Sequence, residues 1–211
     1  MNTSKLSEVK KLYEESADSY NKMMDIEIKL PIYSDTLSRL ANRINSLSGS
    51  LVDTSCGTGH MLDFYHSNYD ASRSLIGIDL SKHMVDIASK KLGNNAIILV
   101  GDMCDMSLIS PCSSAAIISF FAIHHIDPTN VVKAFKEWNR SLCAEGQLVI
   151  AAWEGSGFID YGEDSNIVAS KYTQNKLTSW VSDTGFVVDE CKVELIEEMS
   201  MNAIYLEATK K

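Results

Sequence analysis

The chain has 211 residues, 45% of them apolar, and a formal net charge of −9 from 19 basic and 28 acidic side chains. That is enough for one sizeable core, with ordinary globular composition. The acidity opposes tight binding of phosphate backbones, so no nucleic-acid partner is expected.

Residues 4–24 carry Leu6, Val9, Leu12, Tyr13, Ala17, Tyr20 and Met23 at helical spacing, which predicts a first helix. A second runs over 31–46, with Pro31 suited to its first turn. From residue 51 short apolar runs alternate with helical patterns. "LVDTS" (51–55) reads as a strand and "HMLDFYHS" (60–67) as a helix. "SLIGIDL" (74–80) is the next strand, and the helix 81–93 follows, with Ser81 as its cap and Gly93 as its stop. "AIILV" (96–100) and "AAIISFF" (115–121) are strands. A helix over 128–143 starts behind the capping Asp127, and "GQLVIAAW" (146–153) is the fifth strand. Residues 154–170 read as a long acidic loop, 173–185 as a helix stopped by Gly185, and 186–196 and 201–211 as an antiparallel pair.

Ile/Val/Leu-rich strands alternating with helices imply a parallel sheet covered on both faces, and right-handed crossovers make it doubly wound. The expected fold is therefore α/β and Rossmann-like. It has a mostly parallel seven-stranded sheet, an antiparallel edge pair and N-terminal helices. One domain is expected over 1–211: a helical lid (1–48), a cofactor-binding core (51–155), and a substrate loop, helix and strand pair (156–211).

Five cysteines without a Cys-x-x-Cys pair point to free thiols in a reducing compartment and to no metal site. The N-terminus "MNTSKLSEVKKLYEES" lacks the apolar core of a signal peptide, and no apolar run reaches the ~20 residues of a membrane span. A cytoplasmic protein without a membrane span is expected.

In open α/β sheets ligands bind at the carboxyl ends of the strands. The candidates there are Asp53–Gly59, Asp79, Asp102, Ser119–His125 and Trp153–Tyr161. Asp79, 20 residues after Gly59, suits a ribose. The dinucleotide pattern Gly-x-Gly-x-x-Gly fails at its third glycine, where Leu62 stands. Asp53 also sets a negative charge beside the turn, awkward for pyrophosphate and suited to an ammonium. A ligand with adenosine, an ammonium and a sulfonium but no phosphate, S-adenosylmethionine, matches that chemistry.

"VDTSCGTG", "GIDLSKHM", "GDMCDM" and "FFAIHHIDP", in this order, resemble the class I S-adenosylmethionine-dependent methyltransferases, in particular the small-molecule subgroup that includes quinone and natural-product enzymes. Ser55 departs from the family pattern, which usually has a glycine there. The resemblance implies the following cofactor roles. Asp53 and the backbone of Ser55, Gly57 and Gly59 hold the methionine part. Asp79 takes the ribose, while Leu80 and Met84 line the adenine side. Asp102 meets the adenine amino group, Met103 packs on its ring, and Ser119 and Phe120 border the methionine end. It also implies a small-molecule methyl acceptor and in-line displacement.

His124 and His125, past the fourth strand, are the candidate general bases. A regular backbone there would let only one of them face the pocket. Trp153, Glu154, Asp160 and Tyr161 are placed to line an acceptor pocket, with Tyr161 as a further catalytic candidate. Glu163 and Asp164 are read as solvated. Tyr13, Tyr20, Met23 and Met24 form either a lid over the cofactor or plain core packing. Two other readings stay open: a non-catalytic cofactor-binding module, and a nicotinamide-dependent oxidoreductase.

Overall fold

The structure, a computed structural model, describes residues 3–159, 161 and 167–211. Two helices, α1 (Leu6–Glu27) and α2 (Pro31–Ile44), precede the alternating part. There follow β1 (Ser50–Asp53), α3 (His60–Asn68), β2 (Leu75–Asp79), α4 (Lys82–Leu92), β3 (Ala96–Val100), β4 (Ser114–Phe120), α5 (Pro128–Ser141) and β5 (Leu142–Trp153). Two short strands, β6 (Phe158–Ile159) and β7 (Ala169–Ser170), then α6 (Gln174–Asp183), β8 (Phe186–Ile196) and β9 (Met201–Lys210) complete the chain.

The main sheet has the order β3-β2-β1-β4-β5-β9-β8. The first five strands are parallel, and β9 runs antiparallel between β5 and β8. The expected doubly wound sheet with its antiparallel edge pair is present. Burial follows the pleat. Val52, Ile117, Leu148 and Ile150 enter one core with Phe135 and Trp138 of α5 and Leu177 of α6. Their neighbours Leu51, Ile118 and Val149 enter the opposite core with Leu37 and Leu40 of α2 and Leu62 and Tyr65 of α3. Strands buried on both faces read as unbroken apolar runs for this reason. The edge strand β8 instead carries Asp189, Glu190, Lys192 and Glu194, charges that discourage pairing with a further strand.

The expected caps form. Ser81 Oγ accepts the Met84 N–H at 3.1 Å, and Asp127 Oδ1 accepts those of Thr129 and Asn130 at 2.9 and 3.1 Å. Gly93 and Gly185 end their helices at φ +54° and +96°. Two boundaries differ from the sequence reading. The helix expected to reach residue 143 stops at Ser141, and β5 starts at Leu142 rather than Gly146. Leu142 pairs with Ser114 across an irregularity in register, and Glu145 takes φ +61° there. "CAEG" is a bulge inside a strand and resembles a turn in sequence. The loop 154–170 is also not wholly irregular, because β6 and β7 pair across it.

Helix α2 is fixed to the sheet by charge as well as by apolar contact. Arg39 Nε donates to Glu207 Oε1 at 2.8 Å, and Arg43 lies 3.5 Å from Glu207 Oε2 and donates to Asp189 at 2.7 Å. Glu207 is buried on β9. Removing both partners strands a buried carboxylate, which costs several kcal/mol. The double variant Arg39→Ala/Arg43→Ala is therefore expected to lose about 2–4 kcal/mol of stability. Urea unfolding should show a lower midpoint at an unchanged slope.

Candidate functional site

A cavity of about 920 Å³ opens at the carboxyl ends of β1, β2, β4 and β5, beneath α1. That size is near the top of the range for small-molecule sites, about 300–1,000 Å³. A wider depression of about 980 Å³ lies at the amino ends of the strands, walled by serines and asparagines. It lacks the converging carboxylates and histidines of the first.

The floor is made by two strand ends. Asp53 ends β1 and is 3% exposed, with Oδ1 accepting the Ser55 N–H at 3.1 Å. Burial pushes its carboxyl up to about 7; the Ser55 N–H opposes this and the Asp79 charge adds to it. Asp79 ends β2 and accepts the Gly57 N–H at 2.8 Å and the Ser81 N–H at 2.9 Å. Its carboxyl is also raised by burial, partly offset by those two bonds. The carboxylate of β2 thus clasps the loop leaving β1. Cys56 N–H on the carbonyl of Ile78 ties the same two segments at 2.9 Å.

The glycines of this loop have separate reasons. Gly57 takes φ +50°, and a Cβ on it would sit 3.0 Å from the Tyr20 ring. Gly59 caps α3 at φ +83°, and a Cβ there would press on Ala88 and Leu92 of α4. Gly77 was not singled out by sequence reasoning; a Cβ there would meet Cys56 Sγ at 2.8 Å. That contact explains Cys56: its thiol is buried and pushed well up by burial, the opposite of an activated nucleophile.

The roof is α1. Tyr13, Tyr20, Met23 and Met24 all line the cavity. Glu14 receives the N–H groups of Lys82 and His83 at 2.6 and 3.0 Å, so a carboxylate of α1 caps α4 from outside. Asp25 Oδ1 lies 2.8 Å from His60 Nε2, with Lys91 Nζ 2.6 Å from the same nitrogen. Sequence gave no signal for these latches, because each joins residues at least 31 positions apart.

Past β4, Ile123–His125 form a 3₁₀ turn. Both histidines line the cavity. The tight turn and an irregular Ala122 (φ −127°, ψ −35°) tilt the rings together, centroids 4.0 Å apart. Tyr13 Oη and His125 Nε2 share a hydrogen bond of 2.7 Å, while Nδ1 of each histidine is buried without a hydrogen-bond partner among the described residues. Burial lowers His125 to about 4; burial and then His125 lower His124 well below its usual value.

The remaining candidates divide. Ser55, Leu80, Met84, Met103, Phe120, Trp153 and Tyr161 line the cavity, the Tyr161 ring stacked 6.2 Å from His125. Ser119 lies behind the wall, its Oγ 3.4 Å from Ser55 Oγ. Asp102 stands outside the wall and accepts the Cys104 N–H at 2.8 Å. Glu154 is also outside it and bridges Tyr172. Asp160, Glu163 and Asp164 lie outside the described residues.

A buried and a half-buried carboxylate without a cation among the described residues, a phosphate-unfriendly loop and a Rossmann-like sheet suit a site for an adenosine ligand carrying positive charge. The comparisons agree on the class. Residues 51–146 match the family model described as a methyltransferase domain. An uncharacterized methyltransferase of Bacillus licheniformis is 28% identical over 143 residues, 66% of this chain; the chain spans 65% of that relative's length. The Burkholderia thailandensis 1,6-didemethyltoxoflavin N1-methyltransferase, solved with its substrate and S-adenosylhomocysteine, aligns at TM-score 0.73 and 12% identity, covering 95% of this chain and 87% of that one. The Streptomyces coelicolor geranyl diphosphate C-methyltransferase, solved with Mg²⁺, geranyl diphosphate and S-adenosylhomocysteine, aligns at 0.64 and 17%, covering 84% and 78%. Residues 51–146 are thus similar to a methyltransferase domain, and the fold is that of solved methyltransferases that use S-adenosylmethionine.

The residues present fit that cofactor. Asp53 is buried and Asp79 half-buried, both carboxyls keep spare acceptor capacity, and Gly57 leaves open backbone that a side chain would fill. Burying Asp53 carries a cost in the cofactor-free protein. Lifting its carboxyl from the usual range to about 7 corresponds to at most ~4 kcal/mol. Unfolded Asp53 loses its proton near pH 4 and folded Asp53 near pH 7, so the penalty grows as pH rises from 4 and levels off above 7. Asp53→Asn should therefore stabilise the cofactor-free protein by about 1–3 kcal/mol at pH 8 and by little at pH 4. Chemical denaturation at the two pH values measures this.

Proposed function

We propose that this chain transfers the methyl group of S-adenosylmethionine to a hydroxyl of a small-molecule acceptor, with His125 as general base. The observation that carries the reading is one cavity holding both the paired carboxylates of β1 and β2 and a buried imidazole with an unpartnered nitrogen.

Asp53 and the Ser55–Gly59 backbone would hold the methionine part, Asp79 the ribose, and Leu80, Met84 and Met103 the adenine side. Asp102 and Ser119 would act from behind the cavity wall. The bound cofactor supplies a methyl group on a sulfonium that is its own leaving group. The chain supplies alignment, exclusion of water and a place for the proton. His125 is neutral across the working range, since burial holds it near 4. As the Nε2–H tautomer it donates to the Tyr13 oxygen and keeps Nδ1 bare to take the acceptor proton. Tyr13 is then a positioning residue. Tyr161, stacked on the far side, and the neighbouring His124 complete the polar end of the acceptor space.

Cofactor binding is tested by thermal shift and calorimetry with S-adenosylhomocysteine. A clear rise in melting temperature is expected, reduced in Asp79→Ala by at least tenfold in affinity. Wild-type affinity in Asp79→Ala would remove the ribose assignment.

Turnover with labelled cofactor and a metabolite library, read by mass spectrometry, tests the chemistry. His125→Ala should lower kcat about 10²–10⁴-fold while changing S-adenosylhomocysteine affinity less than about threefold. Tyr13→Phe should lower kcat by about tenfold. It should also move the acid limb of kcat/KM, near pH 4 in the wild type, further down, because the lost bond favoured the imidazolium. An unmoved limb would leave Tyr13 with packing alone.

A further inference from the structure

Large apolar side chains exposed to solvent are clustered in this protein. Of the thirteen exposed among the described residues, seven line the one cavity already described. Tyr161 stands at its polar end, and Leu6 lies at the start of α1, about 30 Å along the helix from Ile26. The other five form a rim: Met23 and Ile26 near the end of α1, Leu30 on the turn to α2, and Leu195 and Met199 at the turn from β8 to β9. Ile26 is 72% exposed, Leu195 62% and Met199 55%. An apolar rim of this kind on a globular protein marks a binding surface.

Between this rim and the histidines the wall is aromatic. Tyr33 and Phe120 rings lie 5.9 Å apart, Phe121 and Trp153 4.6 Å, and Phe121 and Tyr205 6.2 Å, edge to face. Under them a separate small core of Trp153, Ile159, Ala169, Ala203 and Tyr205 supports the passage, with Ile196 packed against it. The route from imidazole to solvent is thus polar at one end, aromatic in the middle and aliphatic at the mouth.

Its charge is one-sided. The lining includes the carboxylates of Asp53, Asp79, Glu27 and Glu194, and no lysine or arginine among the described residues. None of residues 160 and 162–166 is basic either. Glu27 and Glu194 stand near the mouth: burial, then the charges of Glu194 and Glu27, push the Tyr205 phenol up to about 12. Among the described residues no group of three or more His, Cys, Asp or Glu side chains is placed to hold a metal ion. A phosphate, diphosphate or carboxylate on the acceptor would meet repulsion with no cation to offset it.

We propose that the acceptor is an uncharged amphiphile: a compact aromatic head that presents its hydroxyl to His125, and an aliphatic tail that leaves the cavity over Ile26, Leu30, Leu195 and Met199. This rests on the methyl-transfer reading for the identity of the head's partner. The tail site rests on the rim itself. The rim is continuous with the cavity, so the occupant it fits is the far end of the molecule that fills the cavity.

The test titrates the full chain with 4-alkylphenols of butyl, hexyl and octyl chain, with and without saturating S-adenosylhomocysteine, by calorimetry. Affinity should rise about threefold per methylene, the gain for burying each on the rim. The matching 4-alkylbenzoates should bind at least tenfold more weakly than the phenols. In Ile26→Ser/Leu195→Ser the rise with chain length should collapse while S-adenosylhomocysteine affinity stays at the wild-type value. These substitutions replace exposed side chains, so the fold is retained, and circular dichroism checks it. Affinity independent of chain length, or benzoates binding as well as phenols, would overturn the proposal. So would partition of the ligand-free protein onto phosphatidylcholine vesicles, which would assign the rim to a bilayer surface. A chain-length dependence seen without any S-adenosylhomocysteine binding would sustain the tail site and sink the methyl-transfer reading alone.

Discussion

The constraint on which the architecture turns is the placing of two carboxylates, one buried and one half-buried, with no cation beside them among the described residues. Asp53 and Asp79 stand at adjacent strand ends, and both are pushed up by loss of water. A globular protein keeps such groups only where the surroundings over-determine their position. Here the surroundings are backbone donors. Ser55, Gly57 and Ser81 turn their N–H groups onto these oxygens, which fixes the loop after β1 and the turn after β2 in one piece. The donors are neutral, so they hold the carboxylates without discharging them. The site stays chemically unfinished toward a ligand with positive charge and hydroxyls, and the stability forgone at Asp53 is what such a ligand returns on binding.

Helix α1 connects this half of the cavity to the other. Tyr13 and Glu14 are neighbours in sequence and reach in different directions. Glu14 closes the N-terminus of α4, beside Ser81 and the Asp79 turn. Tyr13 meets His125 past β4. This one helix therefore touches the loop and turn after β1 and β2 and fixes the His125 imidazole past β4. Asp25 with His60 and Lys91, and the Ser4 and Val168 backbones joined at 2.9 Å, anchor its two ends. In the methyl-transfer reading this coupling has a use: the base is in position only when the helix that excludes water is down.

Most of the fold was legible because periodicity and local capping are short-range signals. The parallel strands carry unbroken Ile/Val/Leu runs, and Ser81, Asp127, Gly93 and Gly185 cap or stop helices within a few residues of themselves. The start of β5 was not legible, since Cys143–Gly146 has turn composition and becomes strand through pairing with β4. The floor of the cavity was legible for a related reason: strand ends and a glycine loop fix it locally. The roof was only half legible. A Tyr/Met stripe announces a packed face but not its partner, and Glu14, Asp25, His60 and Lys91 find theirs through tertiary structure. The pairing of His124 with His125 was open in the sequence, because it depends on a single tight turn rather than on regular backbone.

The same electrostatics that suit the cofactor also narrow the chemistry on the acceptor side. A pyrophosphate ligand needs a helix N-terminus approached closely across a third glycine. Leu62 fills that position and is fully buried against the sheet, so α3 is held by side-chain packing. The N-terminus of α4 is already answered by Glu14, and that of α5 by Asp127. Every charged carboxylate in the wall raises the cost of a second anion. In the methyl-transfer reading a neutral imidazole adds no charge to this cavity until it accepts a proton, and the acid-lined walls disfavour an anionic acceptor.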